Sequence, residues 1–375
     1  MRVTGGRRLI SSTRQPMNQH TVNTKIACLS LFFSLVAFNL SAGEKWVFAI
    51  DIIRHGDRTP TAELPGDDPA IWREGLGKMT ALGMNQEYQL GTNRRSFYAA
   101  NGLFDAEHPP GIICVFSTDF DRTRMSARFF LKGMLGDTPA TRAIPIRTRI
   151  PIDIRQPLSA PNSTSAAWLM VPTDRPNYSD LLEKYVYSTP EWRATNAAWQ
   201  SQFGNWSRET KLKIHNAHDL ITPGDTLRIR QDRHLPPPPG LSPSDAQAII
   251  DAGRWALAYQ YETQLGRVTG KALVEKISEY LAAAVGDTTK TNPLKYVLFS
   301  AHDSTLLSAL SALHSPLIAP RLPPYAASLR FGLVQTGSGF QIVVNYNDGA
   351  DHPLANPGSP DGKWSLAQFQ NLAAQ

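Results

Sequence analysis

Three apolar runs of strand length, each broken off by a polar cluster, constrain this chain more than any other feature. Trp46–Ile53, Gly111–Phe116 and Lys295–Ser300 are nearly continuous in hydrophobic residues, as expected of strands buried on both faces. They end at Arg54-His55-Gly56, Ser117-Thr118-Asp119 and Ala301-His302-Asp303. Helical patterns lie between them. Met84, Tyr88 and Gly91 share a face after a cap at Thr80; Met125, Phe129 and Met134 do so in a second segment, and Leu273, Ile277 and Leu281 in a third. Strands alternating with helices predict an α/β fold, with a mostly parallel central sheet flanked by helices. Ser328–Val334 and Phe340–Tyr346 flank Gln335–Gly339, a pattern that predicts a hairpin at a sheet edge.

Residues 151–249 differ in character. They are rich in proline, carry Trp168, Trp192, Trp199 and Trp206, and contain no run that reads as a buried strand. We read them as an inserted, mainly helical cap on an α/β domain formed by residues 43–150 and 250–375. Pro236–Pro239 would be a stiff connector, and Ser242-Pro243 a cap and first turn that start the next helix.

The formal charge of +6 is concentrated at one end. Residues 1–42 hold Arg2, Arg7, Arg8, Arg14 and Lys25 and no acidic residue; the rest of the chain carries 33 basic against 32 acidic residues. That balance gives no support for nucleic-acid binding. Residues 1–42 read as a signal peptide, with a basic stretch, an apolar run from Ile26 to Leu40, and small residues that place cleavage near Ala42. The run is short of the roughly 20 residues a membrane span needs. The expectation is a periplasmic or secreted protein without a stable membrane anchor. Cleavage removes Cys28, and Cys114 sits in an apolar run, where it reads as a packed hydrophobe. A domain of this length can fold without disulfides.

The strand ends carry the chemistry, because open α/β sheets place ligand crevices at the carboxyl ends of their strands. In Arg54-His55-Gly56-Asp57-Arg58 a histidine lies between two guanidiniums, a poor place for a cation and a good place for a dianion. The same field keeps His55 neutral and nucleophilic, and Gly56 would let the backbone approach the anion. Arg122, at the start of a helix, could supply a third clamp. His302 could donate to a phosphate oxygen, and Asp303 could protonate a leaving alcohol, provided it is protonated when substrate binds.

Arg-His-Gly-x-Arg-x-Pro at 54–60 resembles the signature of the histidine acid phosphatases, a branch of the phosphoglycerate-mutase-like superfamily. Thr80-x-x-Gly83-Met84, Ser117-Thr-Asp-x-Asp-Arg-Thr123, Ser300-Ala-His-Asp303 and Pro323-Pro-Tyr-Ala326 agree in order, so the resemblance covers most of the chain after the leader. It implies hydrolysis of small-molecule phosphate monoesters in two steps, through a phosphohistidine on His55. Arg54, Arg58, Arg122 and His302 would bind the phosphoryl oxygens and Asp303 would be the acid. Three arginines would supply what metal ions supply elsewhere, so no metal or other cofactor is expected. A homodimer is a family-level possibility. Phe116 stands where animal members have arginine, and the cysteines of eukaryotic members are absent, so the chain resembles a bacterial, disulfide-poor member.

Other readings compete. A phytase or sugar-phosphatase of narrower specificity, and a non-catalytic phosphate-binding protein, both fit the arginine cluster; His55 together with Asp303 argues against the second. Arg73 and Glu74, in the loop after the motif, are candidates for setting specificity. His215-Asn-Ala-His218-Asp219 has a spacing that would suit a metal, but no third ligand is apparent.

Overall fold

The computed structural model describes residues 44–104, 112–153, 162–287, 294–316, 322–355 and 362–375; the expected leader lies outside them. β1 (Lys45–Arg54) leads to α1 (Ala81–Ala100), β2 (Ile112–Ser117) to α2 (Asp121–Leu135), then to α3 (Pro139–Ala143) and β3 (Ile146–Arg147). A ribbon of β4 (Arg149–Pro151) and β5 (Ser163–Ser165) precedes a run of helices: α4 (Ala166–Met170), α5 (Tyr178–Leu182), α6 (Pro190–Thr210), α7 (Ile221–Asp232), α8 (Pro243–Glu262) and α9 (Gln264–Asp287). β6 (Leu294–Ala301) and α10 (Asp303–Ala312) return the chain to the sheet. β7 (Ser328–Thr336), β8 (Gly339–Asn347), β9 (Asp351–Pro353), β10 (Lys363–Trp364) and α11 (Leu366–Ala374) complete it.

The strand order is β10-β8-β7-β1-β6-β2-β3, with β9 on β8. β1, β6, β2 and β3 run parallel, and they form the part of the sheet that the three apolar runs predicted. The expected hairpin forms between β7 and β8, but not at the edge: β7 pairs with β1, and both β9 and β10 lie beyond β8. In β1, Phe48, Ile50 and Ile52 enter one core, while Ala49 and Ile53 enter the other. This period-2 alternation with both faces covered is why the run is continuously apolar. Cys114 is buried and free, as a packed hydrophobe should be.

Within that run Asp51 is fully buried. Arg94 donates to its Oδ1 at 3.0 Å, and the phenols of Tyr98 and Tyr296 donate to Oδ2 at 2.6 and 2.8 Å. Arg94 also donates to Ser328 Oγ at 2.7 Å. Arg330, equally buried, lies 3.8 Å from the Phe97 ring centroid. The network ties α1 to β1, β6 and β7 beneath the strand end that carries His55.

α1 and α2 meet backbone to backbone. A Cβ on Gly91 would stand 2.0 Å from the Phe130 carbonyl oxygen, and one on Gly133 2.0 Å from that of Tyr88. Their buried faces therefore differ from the expected ones. Gly83, Glu87, Leu90, Gly91, Arg94, Phe97 and Tyr98 are buried on α1, whereas Tyr88 is exposed. On α2 the buried set includes Ala127, Phe130 and Met134, while Met125 and Phe129 are only partly covered. α9 follows the apolar pattern, with Leu273, Ile277 and Leu281 all in the core.

α5 to α8 surround two smaller apolar clusters, one around Trp206, Leu220 and Ile249, the other around Val186, Trp192 and Tyr259. Ser242 caps α8 by accepting from Asp245 N at 3.1 Å, with Pro243 as its first residue.

Replacing Arg94 by alanine leaves the buried Asp51 short of its cation, which should cost about 3–5 kcal/mol. Urea unfolding of wild type and Arg94→Ala measures it; a cost under about 1 kcal/mol would contradict the network's ionic character.

Candidate active site

β1 delivers the first cluster. Arg54 N donates to Ala327 O at 2.8 Å and His55 N to Ala301 O at 3.0 Å, so neighbouring chain segments fix the strand end on both sides. His55 Nδ1 lies 2.9 Å from the carbonyl oxygen of Gly56. A carbonyl only accepts, so Nδ1 carries the proton and Nε2 presents its lone pair. Burial holds the ring well below the ordinary histidine range, and Arg58, Arg54, His302 and Arg122 lower it further.

At Gly56 the structure shows a packing requirement that the sequence did not reveal. A Cβ there would lie 2.3 Å from the Gly83 carbonyl oxygen, and one on Gly83 would lie 2.2 Å from that of Asp57. The glycine admits the first turn of α1. Thr80 caps that turn by accepting from Gly83 N at 3.1 Å and donates to Asp57 Oδ2 at 2.6 Å.

Each arginine is held differently. Arg54 pairs with Asp303 at 2.8 Å, donates to the Pro323 carbonyl and lies 4.4 Å from the Tyr325 ring centroid. Arg58 pairs with Asp225 at 2.9 Å and donates to the Thr59 carbonyl at 3.1 Å. Arg122 stacks on Phe120 at 4.4 Å; burial and then Arg58 lower its pKa to about 10, so it stays cationic. The Nε–H groups of all three are buried without an acceptor among the described residues.

β6 ends at His302, whose ring centroid is 5.5 Å from that of His55. Its Nε2 is 3.0 Å from Thr118 Oγ1, which is 2.8 Å from Thr123 Oγ1, so the end of β2 steadies this ring. Burial, and then the Arg122 charge, lower the His302 pKa to about 3. Asp303 is the first residue of α10. Burial raises its pKa, but Arg54, Arg58 and His302 outweigh that and leave it below the ordinary carboxylate range. In this state Asp303 is an ion-paired carboxylate.

The six residues expected at the site thus converge. Phe116, by contrast, is buried in the core and stacks on Phe299 at 5.5 Å. Three further participants escaped the sequence reading. Asp225 and Arg228 come from α7, 3.0 Å apart, and Arg228 donates to the Tyr325 hydroxyl at 3.0 Å. Tyr325, whose segment matched the family pattern without an assigned role, also lies 5.9 Å from the His55 ring. A cavity of about 750 Å³ opens from Arg54, Arg58 and Asp303 toward α7 and α8. Arg73 and Glu74 are exposed and do not line it. His218 does, but Asp219 spends its carboxylate on the backbone of His215 and Asn216, and His218 Nδ1 meets Gln260 at 3.0 Å. Among the described residues no three potential metal ligands cluster.

A neutral histidine ringed by arginines at the carboxyl edge of a parallel sheet defines a class of α/β protein built to bind and transfer an anion. The chain belongs to the histidine phosphatase superfamily (branch 2), whose model matches residues 47–347. It is 30% identical over 326 residues to lysosomal acid phosphatase of Rattus norvegicus, covering 84% of this chain and 74% of that one. It is 29% identical over 345 residues to lysosomal acid phosphatase of Homo sapiens, covering 88% and 78%. Among solved structures, Hafnia alvei phytase in complex with myo-inositol hexakis sulphate shares the fold with a TM-score of 0.63 at 18% identity, covering 89% of this chain and 98% of that one.

The depressed histidines set an acid dependence of stability. The unfolded chain takes up their protons near pH 6.5, whereas folded His302 does so only at about 3. Below about pH 6.5 the unfolded state binds more protons, so stability falls as pH falls. Urea unfolding between about pH 6 and pH 4 should show His302→Asn losing about 1.4 kcal/mol per pH unit of slope. An unchanged slope would contradict a neutral, buried His302.

Proposed function

We propose that this protein is an exported hydrolase of phosphate monoesters that works through a phosphohistidine on His55. The observation that carries the reading is the set of buried, acceptor-less Nε–H groups on Arg54, Arg58 and Arg122 around a neutral imidazole with its Nε2 lone pair available. A phosphoryl group supplies the missing acceptors and the electrophile together. The names of the acid phosphatase relatives support it.

In the first step Nε2 of His55 bonds to phosphorus as the ester P–O bond breaks. The arginines and His302 bind the non-bridging oxygens, where positioning and charge neutralisation do most of the work. Asp303 gives the departing oxygen a proton. It starts as a carboxylate held by Arg54, so substrate binding must load it: phosphate oxygens occupy the arginines, the local potential turns negative, and the carboxyl takes up a proton. In the second step water attacks phosphorus, the P–N bond breaks and Asp303 accepts the water proton; as phosphate leaves, Asp303 releases that proton and pairs again with Arg54. Neither step requires a metal ion.

Residues 151–249 act in this reading as a cap inserted between 43–150 and 250–375, and α7 of the cap brings Asp225 and Arg228 to the phosphate site. The leader would direct the chain to the periplasm or medium of a bacterium. No helix among the described residues is long and apolar enough to cross a membrane.

Turnover of p-nitrophenyl phosphate near pH 5 in EDTA by residues 43–375 tests the mechanism. His55→Ala should lower kcat by at least ~10⁴-fold. Asp303→Ala should lower it by about 10²–10⁴-fold on an alkyl phosphate and less on the nitrophenyl ester, whose leaving group needs little protonation. Full activity without His55 would sink the nucleophile assignment, and loss of activity in EDTA would sink the metal-free step. Rapid quenching in alkali should catch 32P on His55 as an alkali-stable, acid-labile adduct.

A further inference from the structure

The cavity beyond the phosphate site is charge-compensated. Arg54 and Arg58 are met by Asp303 and Asp225. Further out Arg228 is met by Asp225 at 3.0 Å and by Asp232 at 2.6 Å. Arg254 and Asp219 complete the charged lining, so four arginines stand against four aspartates. Between them the wall mixes Tyr178, Leu257 and Leu322 with neutral polar side chains such as Gln231 and Gln260. Beside the phosphate residues Phe120 is 41% exposed, with its ring edge-on to His302 at 5.4 Å.

One phosphoryl group can be accommodated by displacing Asp303 and Asp225 from their arginines, because the buried Nε–H groups of Arg54, Arg58 and Arg122 add donors that no carboxylate uses. For a second phosphate on the same molecule the lining offers no further buried N–H in reserve among the described residues, and of its outer arginines Arg228 is already paired while Arg254 is exposed to solvent. That phosphate meets the negative charge of two further lining residues: Asp219, whose Oδ2 accepts from the backbone of His215 and Asn216, and Asp232, which pairs with Arg228. Like charges in a partly desolvated cleft repel more strongly than in open water. We infer that the enzyme selects monoesters whose alcohol carries no further negative charge, and that Asp219 and Asp232 are the specificity-determining residues that reject multiply phosphorylated esters. This rests on the hydrolytic reading above.

The test compares kcat/KM for p-nitrophenyl phosphate and myo-inositol hexakisphosphate in wild type and in Asp219→Asn/Asp232→Asn. Wild type should favour the nitrophenyl ester by at least ~100-fold. The double variant should keep that rate within about twofold and gain about 10-fold on the hexakisphosphate, chiefly through KM, with the gain shrinking as salt is added. Comparable wild-type rates on the two esters, or an unchanged ratio in the variant, would overturn the inference. Should the double variant lose turnover of the nitrophenyl ester, the single Asp232→Asn, at a more exposed position, is read by the same ratio. Wild type inactive on both esters would instead overturn the hydrolytic reading.

Discussion

Three guanidiniums gathered around one imidazole repel each other, and much of the molecule serves to hold them together. Arg54 and Arg58 flank His55 on one strand end, so their proximity is fixed covalently. Their charge is answered from elsewhere: by Asp303 at the start of α10 and by Asp225 on α7. Arg122 has no carboxylate partner among the described residues and is held by the Phe120 ring. The cluster is tolerable because β1 is clamped between β6 and β7 and anchored underneath by the Asp51–Arg94 network. Repulsion stored in a rigid frame is what an incoming dianion relieves.

The frame and the six converging residues were legible because each apolar run stops where chemistry begins. Strands buried on both faces have a composition that stands out, and their carboxyl ends are where α/β sheets put ligands. What stayed hidden was whatever depended on a partner distant in sequence. Asp51 interrupts an apolar run, and its partners lie 43, 47 and 245 residues away. Asp225 is 167 residues from Arg58 and sits in a helix whose own pattern gives no hint of it. The faces of α1 and α2 were misread for a related reason: the helices touch through glycines and carbonyls, which a hydrophobic periodicity does not weigh.

Part of the family signature is architectural. Gly56 and Gly83 belong to two matched segments, yet their contact is with each other's backbone, and Thr80 and Asp57 fasten the same junction. A helix seated that close places its neighbour α2, and through α2 it places Arg122 and the Thr118–Thr123 pair behind His302. The glycines thus act through position, and the Gly56 carbonyl in addition holds the His55 ring.

The depressed histidines also couple the anion to the proton. Part of what keeps His55 and His302 neutral is the arginine field, and a bound phosphate cancels part of that field. If phosphate binds where the proposed mechanism puts it, it would raise the proton affinity of both rings, and by reciprocity protons would tighten its binding. Under the proposed assignment, phosphate on the arginines would stabilise the fold under the conditions that strain it, as any ligand of the folded state does.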